Sequence, residues 1–172
     1  MELLLLRHAE ANPANSGRDD ERGLSGIGRR NAELVGASLA RLDRIPELIL
    51  SSPLVRARQT AEALVAGLGT GTPPEIRTVK ELQPGATPAT IMKMLEPEAG
   101  RSRVAVVGHQ PDIGRVLSFM ISGGSMELEF SIRPGTVCLT EVNTIPLKSP
   151  ARLLLLVPPS VLAALAEKST DR

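Results

Sequence analysis

At 172 residues the chain has room for one well-cored domain and not for two comfortable ones. An apolar share of 42% excludes disordered and fibrous classes, and two phenylalanines with no tryptophan or tyrosine leave no stacking platform for single-stranded nucleic acid. A net charge of +1 gives no footprint for DNA or a membrane surface, so the basic groups that matter must be local.

The chain opens with four leucines (3–6), which read as a buried strand over residues 2–6 running into Arg7-His8. Buried cations are disfavoured, so an Arg-His pair there belongs where strand gives way to cleft. A polar loop over 12–24 follows. Ser25 is then the predicted N-cap of a helix over 27–42, with Ile27, Leu34, Val35, Leu39 and Leu42 forming its apolar stripe. Residues 48–50 form the next strand. Ser52 suits an N-cap and Pro53 a first helical position, opening a helix over 54–66 closed by Gly67.

The glycine-rich stretch 67–74 follows a helix rather than a strand and lacks the third glycine of a dinucleotide fingerprint, so it reads as a connector. A short strand over 75–79 and a helix from Thr87 or Pro88 to about Leu95 come next. Residues 104–108 repeat the opening pattern: an apolar strand that delivers His109, the only other histidine. Pro111 marks the start of a helix over 112–121, and strands over 137–142 and 153–157 lead through Pro158-Pro159-Ser160 into a C-terminal helix. The lone cysteine, Cys138, excludes an internal disulfide and a cysteine-based zinc cluster, and its strand setting makes it a packed thiol. Neither leucine-rich run is long enough for a signal segment or a bilayer span, which points to a cytoplasmic protein with no membrane partner.

Apolar strands spaced by helices predict an α/β fold with a mostly parallel sheet covered on both faces, as a single domain over 1–168 with a polar tail over 169–172. Ligands of such folds gather beyond the carboxyl ends of the strands, where His8, His109, Ser51-Ser52 and the helix start bearing Arg56 all fall. Two histidines without a partnering carboxylate motif do not complete a metal shell, and neighbouring arginines repel a cation. Neither a Gly-x-Ser-x-Gly elbow nor a Walker A sequence is present. Arg7, Arg56 and two imidazoles converging on one point describe an anion site, with phosphate the natural occupant.

Three blocks carry a resemblance: Arg7-His8-Ala9-Glu10-Ala11, the ten residues from Ser51 through Arg56 to Thr60, and Val107-Gly108-His109-Gln110-Pro111. In residue type, order and spacing they resemble the signatures of the histidine phosphatase superfamily, which includes the cofactor-dependent phosphoglycerate mutases. Within it the chain is most similar to short SixA-type phosphohistidine phosphatases. The resemblance implies a three-layer α/β/α fold and covalent phosphohistidine catalysis needing no metal or other cofactor. His8 is then the nucleophile, Arg7 and Arg56 clamp the phosphoryl oxygens, and His109 donates to them.

Glu81 stands near the place of the general acid found in the mutase and ester-phosphatase branches, or is a surface residue pairing with Lys80 or Arg77. Gln110 offers a backbone N–H to phosphate or serves only the helix start. Arg22 is expected to brace its loop, Arg58 to point away from Arg56, and Ile91, Met92, Met94 and Leu95 to be core or interface residues. Ala9 replaces the glycine of many members, where a methyl crowds the phosphate if backbone approach matters. The expected substrate is phosphohistidine on a signalling or phosphotransfer protein. A small-phosphate-ester phosphatase and a non-catalytic phosphate-binding module are the alternatives.

Overall fold

Four consecutive leucines demand apolar cover on both faces of a strand, and β1 (Glu2–Arg7) has it: Leu3, Leu4, Leu5 and Leu6 are each at most 1% exposed. The computed structural model describes residues 1–13 and 19–170. In chain order it has β1, α1 (Gly26–Arg41), β2 (Leu48–Ser51), α2 (Val55–Leu68), β3 (Glu75–Thr78), α3 (Pro88–Leu95), β4 (Arg103–Gly108), α4 (Asp112–Ser122), β5 (Val137–Glu141), β6 (Arg152–Val157) and α5 (Pro159–Thr170). The sheet order is β3-β2-β4-β1-β5-β6, and β5 alone runs against the other strands, so the sheet is mostly parallel.

Period-two alternation along β1 sorts the core into two layers. Leu3 and Leu5 pack with Ile91 and Leu95 of α3 and Val116 and Leu117 of α4. Leu4 and Leu6 face Val35 and Leu39 of α1 and Ala61 and Leu64 of α2, with Leu162 of α5 against the same cluster. Helices on both faces of one sheet make the expected three layers. Met92 joins the first cluster and Cys138 is buried in it, so both fill core.

Two helices end two residues beyond the sequence expectation. Gly67 does not stop α2; Gly69, left-handed at φ 62°, closes it. Gly67 lies where α2 crosses α1, and a Cβ there would land on the Glu33 carbonyl. Gly36 of α1 meets the Leu64 carbonyl in the same way, so this glycine pair sets the close approach of the two helices. At the C-terminus, α5 reaches Thr170, two residues into the expected tail, and 171–172 lie outside the described residues.

Register places the site. Arg7 pairs with Gly108, and Ser51 with Val107 and Thr78, so β1, β4, β2 and β3 end at one level. The ladder continues one residue further, with His8 N–H donating to Gly108 O at 2.9 Å and Ser52 N–H to Val107 O at 3.0 Å. His8, Ser52 and His109 therefore leave three adjacent strands together.

Candidate active site

The two imidazoles face each other across this edge, with ring centroids 5.2 Å apart. His8 Nδ1 lies 2.7 Å from the carbonyl oxygen of Ala9. A carbonyl only accepts, so Nδ1 carries the proton and Nε2 keeps its lone pair. Arg56 Nε–H donates to that Nε2 at 3.2 Å. Burial, and then the Arg56, Arg7 and Arg22 charges, push the His8 pKa down to about 4 against the Ala9 hydrogen bond, which raises it. His8 is thus a neutral imidazole at neutral pH, its lone-pair nitrogen turned toward an arginine.

The residue that orients His8 is itself anchored. Ala9 N–H donates to Thr60 Oγ1 at 3.0 Å, and that hydroxyl donates to the Arg56 carbonyl at 2.6 Å, one turn back in α2. Thr60 ties the loop after His8 to the helix that carries Arg56. The Ala9 methyl is buried with Leu24, Ala32 and Ala63 on the α1/α2 side.

His109 is 3% exposed and its Nε2 lies 2.8 Å from Ser52 Oγ. Ser52 Oγ also accepts from Leu54 N–H at 3.4 Å. That leaves the Ser52 hydroxyl able to donate to Nε2 when the proton of neutral His109 sits on Nδ1. Burial, followed by its neighbours His8 and Arg56, drives the His109 pKa down to about 3. Ser52 is therefore not the N-cap the sequence suggests. Leu54 holds that position without a side-chain bond, and the helix start gives way to the site.

Arg56 is 6% exposed while Arg58 is exposed, as helical spacing requires. Arg7 Nη1 donates to Ile132 O at 2.8 Å, from the loop before β5. Arg7 Nε and His109 Nδ1 are buried and have no hydrogen-bond partner among the described residues. A buried donor left unpaired costs about 1–3 kcal/mol, which an anionic ligand at this point recovers.

The structure does not bring every predicted residue to this centre. Glu81 is exposed in a 3-10 turn (Lys80–Leu82) after β3 and has no hydrogen bond or ion pair among the described residues. Arg77, its expected partner, is held by Glu75 at 3.0 Å and Glu98 at 2.6 Å instead. The Gln110 side chain is exposed and lies over Gly114 of α4, lining a groove of about 500 Å³ with Arg115, Glu127 and Phe130. Arg22 does brace its loop, through Asp19 at 2.8 Å and Asn12 O at 2.9 Å.

Sequence reasoning missed Ser52 as a partner of His109, Thr60, the Ile132 carbonyl and Asp19. Asp19 accepts from Arg56 through both its carboxylate and its backbone carbonyl. Thr60 alone carried a signal, since it is four residues past Arg56 and so on the same helix face.

Residues 3–87 match the model of the histidine phosphatase superfamily (branch 1). The chain belongs to that superfamily. An uncharacterized protein of Picosynechococcus sp. is 38% identical over 118 residues, spanning 66% of this chain and 69% of its own. Among solved structures, the histidine phosphatase SixA complexed with tungstate superposes with a TM-score of 0.81 at 21% identity, covering 94% of this chain and 99% of that one. A structure assigned as phosphohistidine phosphatase SixA from Agrobacterium tumefaciens gives 0.75 at 28% identity, covering 92% and 97%. Its counterpart from Nakamurella multipartitia gives 0.74 at 26%, covering 92% and 95%. Within the superfamily this histidine phosphatase is of SixA type, and no helix among its described residues is long and apolar enough to cross a membrane.

Proposed function

We propose that this chain hydrolyses phosphohistidine carried on a protein, through a covalent phosphoryl intermediate on His8 and without a metal. The observation that carries the reading is the His8 ring: proton fixed on Nδ1 by Ala9 O, lone pair on Nε2, and Arg56 Nε–H beside it. Nε2 attacks phosphorus, the Nε2–P bond forms and the substrate's N–P bond breaks. A substrate imidazole protonated on its other nitrogen departs neutral. Arg7, Arg56 and His109 Nδ1–H meet the phosphoryl oxygens as charge redistributes. Water then attacks phosphorus, its protons remain on the released phosphate, and His8 leaves neutral with Nδ1–H still on Ala9. Two guanidiniums at the centre neutralise the phosphoryl charge and oppose a cation there.

A leaving imidazole needs no enzyme acid, which suits a chain whose expected acid, Glu81, is exposed and has no hydrogen bond or ion pair among the described residues. A groove of about 500 Å³, lined by Gln110 next in sequence to His109 and by none of the four central residues, leaves room for a folded partner beside the centre. Resemblance to the SixA structures points to the same substrate.

The test compares a phosphohistidine-bearing phosphotransfer domain with a panel of phosphate esters, using wild type and His8→Ala. The expected result is a kcat/KM at least about tenfold higher for phosphohistidine, and a loss of roughly 10³-fold or more in His8→Ala. Preference for esters overturns the substrate and leaves the mechanism. Unchanged turnover in a folded His8→Ala variant overturns the enzyme reading and leaves a phosphate-binding module.

A further inference from the structure

A guanidinium has two usable edges: an end formed by Nη1 and Nη2, and a side formed by Nε and the neighbouring Nη2 hydrogen. Arg56 uses them for different purposes. Its end edge is gripped by one residue, with Nη1 donating to the Asp19 backbone carbonyl at 2.7 Å and Nη2 to Asp19 Oδ2 at 3.1 Å. Its side edge faces the nucleophile, with Nε–H on His8 Nε2 at 3.2 Å.

Asp19 is held in turn. Its other oxygen, Oδ1, accepts from Arg22 Nη1 at 2.8 Å, and Arg22 Nε is fastened to Asn12 O at 2.9 Å. The carboxylate therefore bridges one arginine of the loop and one of the site. Arg22, with the Arg56 charge beside it, keeps the Asp19 carboxyl below the usual carboxylate range, so the grip is ionic at neutral pH. The arrangement is asymmetric in burial: the Arg56 side chain is 8% exposed and that of Asp19 62%. A buried arginine is thus oriented by a carboxylate at the rim, 37 residues away in sequence.

We infer that Asp19 is a positioning residue for Arg56: it holds the end edge of the guanidinium so that the Nε edge stays beside His8 Nε2, where an arriving phosphoryl oxygen takes over its hydrogen bond. This deepens the proposed function and rests on it for the catalytic part. The geometry separates it from the opposite role, a carboxylate that occupies the phosphate's place, because the side edge beside Nε2 is not the one Asp19 takes. Removing Asp19 frees Arg56 to swing, which weakens anion binding and slows phosphoryl transfer. A competitor would do the reverse.

The experiment uses Asp19→Ala, Asp19→Asn, Arg56→Ala and the Asp19→Ala/Arg56→Ala double variant, all of the full chain. Tungstate binding by calorimetry and phosphoramidate hydrolysis are the readouts. Expected are a Kd for tungstate about tenfold weaker in Asp19→Ala, a kcat lower by roughly 10–100-fold, an intermediate Asp19→Asn, and no further loss when Asp19→Ala is added to Arg56→Ala. Tighter tungstate binding in Asp19→Ala overturns the inference and makes Asp19 a competitor. An equal loss in both backgrounds also overturns it, because Asp19 then does not act through Arg56. Tungstate binding needs no turnover, so it tests Asp19 even if phosphoramidate is not hydrolysed and the parent reading fails.

Discussion

The floor and the rim of the site are built on different principles. The floor comes from the ends of β1, β2 and β4, where backbone register fixes His8, Ser52 and His109, and Ser52 and His109 are almost fully buried. The rim comes from loops: Asp19 and Arg22 on one side, Glu81 beyond β3, and Gln110 with Glu127 and Phe130 along the groove. Floor groups are each locked by at least one hydrogen bond, whereas Glu81 and Gln110 have none among the described residues. In the proposed function, chemistry belongs to the floor. The rim reaches the floor through Asp19, which holds Arg56.

Substitutions along this divide test it, beginning with the largest effect. Arg56→Ala removes the donor beside the attacking nitrogen and is expected to lower kcat/KM for phosphohistidine by about 10²–10³-fold. A loss under tenfold would place the phosphoryl group elsewhere. Ser52→Ala leaves His109 in place but frees its tautomer, with an expected kcat loss of roughly 10–100-fold. Nitrogen NMR of the wild type checks the cause directly: the His109 proton is expected on Nδ1, and finding it on Nε2 would remove Ser52 from the mechanism.

A weaker effect is on stability. Burial lowers both histidine pKa values, to about 4 and about 3, while the unfolded chain titrates near 6.5. Below that value the unfolded state takes up protons that the folded state refuses, so stability falls as pH drops from about 6.5 toward 4. The midpoint of urea unfolding should fall over this range in wild type and fall less steeply in His8→Ala, which has lost one of the two groups. At the rim, Glu81→Gln should change phosphohistidine turnover by no more than about threefold, since an imidazole leaving group needs no acid. A tenfold loss on phosphate esters alone would make Glu81 the acid for that chemistry.

The same divide governs what could be read from the sequence. Apolar runs ending in Arg7-His8 and Gly108-His109 announce buried parallel strands with charge at one edge, and helical spacing separates Arg56 from Arg58. Those signals are local. Ser52 was misread because a Ser-Pro pair has the same form whether the hydroxyl caps a helix or turns to a histidine 57 residues away. Gly67 looked like a stop because a glycine at a helix crossing cannot be told from a terminal one without the partner helix. Asp19 and the Ile132 carbonyl are tied to arginines 37 and 125 residues distant, contacts that only the folded register creates.

The central claim is that phosphorus is transferred to His8 Nε2, and direct capture of that species is the decisive measurement. A phosphohistidine-bearing domain is mixed with wild-type protein, quenched into base within milliseconds, and mapped by mass spectrometry. The expected result is a base-stable, acid-labile phosphoryl group on the peptide containing His8, absent in His8→Ala. Release of phosphate at full rate with no phosphorylated protein, or a label on any other residue, would contradict covalent catalysis at this centre.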